Sequence, residues 1–129
     1  MRYFLKIEDC DAFGRPADTA LPIIAEGEYK LGVLSLGYLF DGARYSLTIT
    51  DDCVRHVRYG DMQMSLEFRL GKLTRGSLKS GGLSGDLDVF THELEIAMTP
   101  EGCSVHLVFS DGEEGVEKVV KNITAYSVK

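Results

Sequence analysis

Apolar and polar residues alternate along most of this chain, and short runs of Gly, Asp, Ser and Thr separate the alternating stretches. A repeat of two is what a strand with one buried face requires, because successive side chains point to opposite sides of the pleat. Many such runs at close spacing predict an all-β sandwich or barrel. The clearest unit is LSLGYLFDGARYSLTIT, Leu34 to Thr50. Asp41-Gly42 fits a type I′ turn, whose two central residues both need positive φ. A two-residue loop there pairs Phe40 with Ala43, Tyr38 with Tyr45, Leu36 with Leu47 and Leu34 with Ile49. All eight are apolar or aromatic and share one face, so register and pattern agree.

MQMSLEFRL, Met62 to Leu70, alternates as cleanly, with Met62, Met64, Leu66, Phe68 and Leu70 on one side. A weaker strand follows near Leu73 to Leu78, and Lys79 to Gly85 (KSGGLSG) reads as a loop or a broken strand. Further strands are expected at Met1 to Glu8, Thr19 to Tyr29, Cys103 to Ser110 and Val116 to Val128, with a loop at Asp9 to Asp18. The sum is eight to ten antiparallel strands with no helix, repeat or linker. Closure into a barrel removes exposed edges, so a single closed barrel over residues 1–129 is the expectation, with a sandwich second.

Two places resist a simple assignment. A four-residue turn at Thr99 to Gly102 pairs Met98 with Cys103, Ile96 with Val105, Leu94 with Leu107 and His92 with Phe109, which puts His92 on the inner face and His106 outside. Yet Leu87 and Val89 are in the opposite phase to Leu94 and Ile96, which signals a β-bulge or a barrel corner. His92 faces out if the slip falls after it. In CVRHVRY, Cys53 to Tyr59, a two-residue loop at Asp51-Asp52 turns Val54, His56 and Arg58 inward, whereas a two-residue loop at Gly60-Asp61 turns Arg55 and Val57 inward. One loop must be longer. Under either choice an arginine faces the core, where it needs an acid, carbonyls, water or an anionic ligand.

Composition narrows the function. The formal net charge is −6, against unspecific binding of nucleic acid, which needs a positive surface to displace counterions. Charge is uneven: Cys53 to Lys79 is mostly basic, and Ser80 to Glu117 carries acids and no Lys or Arg. Such faces serve solubility or a partner. Cys10, Cys53 and Cys103 are odd in number and widely spaced, neither a disulfide framework nor a zinc site. The N-terminus has no signal-peptide run and no apolar stretch is long enough to span a bilayer, so a cytoplasmic protein without a membrane partner is expected. No nucleotide, hydrolase or metalloprotease motif occurs, and no cofactor is expected.

Several of these stretches are those of a known family. GEYKLGVLSLGY (Gly27 to Tyr38), the Arg58-Tyr59-Gly60 turn, GDLDVFTHELEI (Gly85 to Ile96) and NITAY (Asn122 to Tyr126) resemble the YwiB-like bacterial proteins, a domain of unknown function with a calycin-like β-barrel. The glycine-rich stretch before Gly85 is the least similar part. The resemblance implies a small closed barrel of lipocalin-like shape, with Gly60, Gly85 and Thr91 as turn and bulge residues. It implies no activity and no catalytic residue.

Three functions follow from these features. The first is a barrel that binds a small anionic or amphiphilic ligand, with Arg55 or Arg58, His92, Tyr38 and Tyr45 as contacts. Arg offers such anions a fixed fork of donors. The second is a protein-interaction module with a packed interior. The third, an enzyme using His92 as a base, lacks a second catalytic group. Oligomeric state is left open by the sequence.

Overall fold

The computed structural model describes residues 1–10, 22–112 and 117–128. The alternating runs form ten strands: β1 (Arg2–Cys10), β2 (Ile23–Lys30), β3 (Val33–Phe40), β4 (Ala43–Ile49), β5 (Cys53–Tyr59), β6 (Met62–Arg69), β7 (Leu73–Ser80), β8 (Leu83–Thr99), β9 (Gly102–Asp111) and β10 (Lys118–Ser127). Each pairs antiparallel with its sequence neighbours, and β1 pairs with both β2 and β10, so the sheet closes into a barrel. No helix occurs among the described residues.

The β3–β4 hairpin has the register its pattern predicts, from Phe40 opposite Ala43 to Leu34 opposite Ile49. Asp41 and Gly42 take φ of 50° and 76°, as a type I′ turn demands. The conflict over β5 is settled by its two loops. Ile49 pairs with Val54, so the Asp51-Asp52 turn is the short one. Arg58 pairs with Met64, which leaves one extra residue in the Gly60 turn. Val54, His56 and Arg58 therefore face the interior.

β8 is longer than its pattern suggests. KSGGLSG is a tight hairpin at Gly81-Gly82, and Ser84 and Gly85 already pair with β7. The strand runs on past β7 to pair with β9, and its phase flips at a bulge between Thr91 and Glu93. The bulge bends the strand where it changes partner. Asp9 and Cys10, expected to begin a loop, instead extend β1 opposite Lys121 and Val120. The rest of that expected loop, the start of the expected Thr19 strand and Val116 lie outside the described residues.

The middle of the barrel is filled. Leu5, Leu34, Leu47, Ile49, Val54, Phe68, Leu107 and Ile123 are fully buried, and Phe68 packs against Phe109 with ring centroids 4.9 Å apart. Burying each such side chain contributes about 1.5–3 kcal/mol. This packed waist separates two ends: a turn end with the Asp41-Gly42, Gly60-Asp61 and Gly81-Gly82 turns, and a terminal end with Met1, Val128 and the Leu31-Gly32 and Asp51-Asp52 turns.

β7 must curl tightly between β6 and β8, and Gly76 permits it. A Cβ at Gly76 would overlap the carbonyl oxygens of Ser65 and Leu87, both backbone atoms of the neighbouring strands. Overpacking of this kind costs about 1–3 kcal/mol. Gly76→Ala is therefore expected to lower unfolding free energy by that amount in urea titration. An unchanged midpoint would contradict the close approach.

Candidate functional site

Alternation along five strands brings a polar group into the interior at the turn end. Tyr38 on β3 and Tyr45 on β4 are cross-strand partners, their rings stacked 5.0 Å apart and 3° from parallel. His56 on β5 lies against both rings, and its Nε2 is 2.5 Å from the Tyr38 hydroxyl. Two residues on, Arg58 donates from Nε to the Tyr45 hydroxyl at 3.1 Å and from its terminal nitrogen to the Met62 carbonyl at 2.6 Å. Lys121 on β10 is buried, with Nζ 2.9 Å from Asp9 Oδ1 on β1, close enough for an ion pair although off the line of a good hydrogen bond.

Burial sets the protonation states. Desolvation, with help from the Lys121 charge, pushes the His56 imidazole down to about 3 from an ordinary 6.5. Desolvation first, then the neighbouring Tyr45 and Asp9, raises the Tyr38 phenol well above its usual range. At neutral pH His56 is therefore uncharged and Tyr38 keeps its proton, so the pair is a neutral hydrogen bond. Among the described residues, the charges inside the barrel are the cations Arg58 and Lys121 and the anion Asp9. Asp111, on the same face, is out in solvent at the rim. The described residues thus place one net positive charge in the interior, in a chain whose net charge is −6.

The inner apolar side chains at this end are only half-buried: Ile7, Ile23, Met62, Met64, Leu78 and Phe109 all retain exposure, unlike the waist below them. The arrangement is a polar floor under an accessible, apolar wall.

Of the residues singled out from sequence, Tyr38, Tyr45 and Arg58 meet at this floor. Arg55 does not join them. It points outward between Thr48 and Glu67 and lines a cavity of about 750 Å³ at the terminal end, beside Tyr29, Ile96 and Met98. His92 is also elsewhere, because the slip moves Phe109 opposite Thr91 and leaves His92 on the bulge, facing out. Its Nε2 is 2.7 Å from Ser110 Oγ, its ring meets that of Phe90 edge to face with centroids 4.9 Å apart, and Ser110 Oγ donates to the Gly112 carbonyl. His106 faces out as expected, with Nδ1 2.8 Å from Asn122 Oδ1. No cluster of three or more His, Cys, Asp or Glu suited to a metal occurs among the described residues.

His56, Lys121 and Asp9 were not singled out. His56 shared the inward phase of Arg58 once the Gly60 turn was given its extra residue. Lys121 is the only charge on the Val119, Lys121, Ile123, Ala125 face, a visible break in an apolar period.

The architecture has a known counterpart. The crystal structure of the YwiB protein from Bacillus subtilis superposes with a TM-score of 0.81, over 99% of this chain and 92% of that one, at 15% sequence identity. The chain has the YwiB fold. No protein-family profile and no curated protein sequence matches it. At this identity the likeness to YwiB concerns the fold, and side chains in the YwiB-like barrel must be judged on their own geometry.

Tyr38→Phe removes the hydroxyl and leaves His56 Nε2 buried without its partner. The expected cost is about 1–3 kcal/mol of unfolding free energy, the usual penalty for stranding a buried polar group. A loss below a few tenths would show that water already serves the imidazole.

Proposed function

We propose that this barrel binds a small, singly anionic amphiphile in its turn end, with Arg58 as the anion's contact. The observation that carries the reading is the net positive charge that the described residues place in the interior of an acidic protein. Within the described residues no carboxylate lies within ion-pair reach of Arg58, whose hydrogen bonds go to a hydroxyl and a carbonyl. Such a guanidinium keeps donors available for a carboxylate or a phosphate diester. The stacked Tyr38 and Tyr45 rings and the half-buried Met62 and Met64 offer the apolar contact such a ligand needs, and methionine adapts to irregular shapes. Lys121 supports the anion electrostatically. A cytoplasmic setting belongs to the same proposal, in keeping with the unpaired Cys53 and Cys103.

Octanoate and octylamine, titrated against the protein by NMR, separate charge from apolarity. Octanoate is expected to shift Arg58, Tyr45 and Met62 signals saturably, and octylamine is not. Arg58→Gln is expected to weaken octanoate binding by roughly tenfold or more, as a lost charge-assisted hydrogen bond implies. Equal binding of both amphiphiles, or of octanoate by the variant, would refute the proposal.

A further inference from the structure

The barrel wall is incomplete along one stretch of β8. β7 covers residues 83–90, and Gly71 and Lys72 bond the backbone of Thr91. Toward the terminal end, residues 93–99 pair with β9 on one side. On the other side, among the described residues, their backbone bonds to nothing. In an antiparallel ladder alternate residues turn their N–H and C=O away from the partner strand, so this edge presents a row of unused main-chain donors and acceptors. The side chains agree. Leu94 and Ile96 keep partial exposure, whereas Leu107 and Val105, opposite them on the same inner face, are 0% and 2% exposed.

The cavity at the terminal end adjoins this edge. Ile96 and Met98 line it from β8, and the Leu31-Gly32 and Asp51-Asp52 turns line it as well. Leu31 is 92% exposed, with a φ of 53°. Bulky residues rarely take the left-handed region, and such backbone outliers gather where a ligand is held. An apolar side chain is thus presented to the cavity from unfavourable backbone, close to a strand that lacks a neighbour.

We propose that the free edge of β8 takes up an extended peptide of a partner protein as an additional strand, the peptide alternating apolar residues with Lys or Arg. Main-chain hydrogen bonds to β8 supply affinity, and alternate side chains supply selection. The inward side chains of the peptide meet Leu94, Ile96 and Met98. The outward ones stand beside Glu93 and Glu95, which are exposed and have no ion-pair partner among the described residues. Opposite charges side by side on neighbouring strands are favourable, and like charges are not. A second copy of this chain is the wrong occupant for that reason: edge-to-edge pairing would bring Glu93 and Glu95 of both copies onto one face of a short ladder.

Backbone NMR of the full chain with synthetic peptides tests this. The probes are capped Lys-Val-Lys-Val-Lys-Val-Lys, the same peptide with Glu for Lys, and the lysine peptide N-methylated at every peptide bond. The lysine peptide is expected to shift the amide signals of residues 93–99 saturably and, at saturation, to slow exchange of the edge-facing amides by about tenfold or more. The N-methylated peptide is expected to bind about tenfold or more weakly, since it cannot donate from its main chain. Glu95 is exposed, so Glu95→Lys is expected to keep the circular dichroism of the wild type. That variant is expected to bind the lysine peptide about fivefold or more weakly and to bind the glutamate peptide better than the wild type does. No binding of the lysine peptide at millimolar concentration would overturn the proposal. So would equal binding of the N-methylated or glutamate peptide, shifts centred away from residues 93–99, or edge amides already protected in the free protein in a concentration-dependent way, the sign of a second copy on the edge.

Discussion

Closure of the sheet is the constraint on which everything else depends. In an open sheet, a charged side chain on the wrong face can bend around an edge to water. In a closed barrel the inner faces of all ten strands share one enclosed space, and whatever points inward must be accommodated there. Among the described residues, the inward charges gather at one level. Arg58 comes from β5, Asp9 from β1 and Lys121 from β10, and the hydroxyls and imidazole that share their level come from β3, β4 and β5. None of these residues is near all the others in sequence. Register alone assembles them.

The waist makes the two ends independent. Fully buried aliphatic and aromatic residues fill the middle, so a ligand in the turn end has no continuous passage to the cavity at the terminal end. That cavity carries Arg69 bridging Glu67 and Asp52 at its rim, with Arg55 nearby, a mixed-charge lining that favours no one sign of ligand. The turn end has the simpler electrostatics, because His56 is kept neutral by its burial and, among the described inward residues, the cations outnumber the anion. The outer surface follows different rules: most strands show charges there, and the Leu39, Ile24, Phe4, Tyr126 row is an apolar exception.

Much of the fold was legible because strand patterns are local. The β3–β4 hairpin needed only a two-residue turn signal and a clean alternation, and the ladder from Leu94–Leu107 to Met98–Cys103 followed from its four-residue turn. What was not legible depended on single residues inserted into a ladder. One extra residue at the Gly60 turn decides whether Arg55 or Arg58 enters the barrel. One bulged residue moves His92 from the inner face to the outer. Their phase conflicts were visible in the sequence, but their positions depend on how long strands bend between partners, which is a property of the closed sheet. Lys121 illustrates the opposite error. Its place in an apolar period was plain, yet its partner Asp9 sat in a stretch that read as loop, so the buried pair had no second half.

The protonation state of His56 tests the central claim most directly, because it depends on the β5 register, on burial and on the nearby Lys121 together. The measurement is an NMR pH titration of the His56 imidazole in the wild-type protein. The account predicts a neutral ring through the range in which an ordinary histidine titrates, with protonation only toward about 3. A ring that charges near the ordinary 6.5 would place His56 in solvent, reverse the face of β5 and remove Arg58 from the interior.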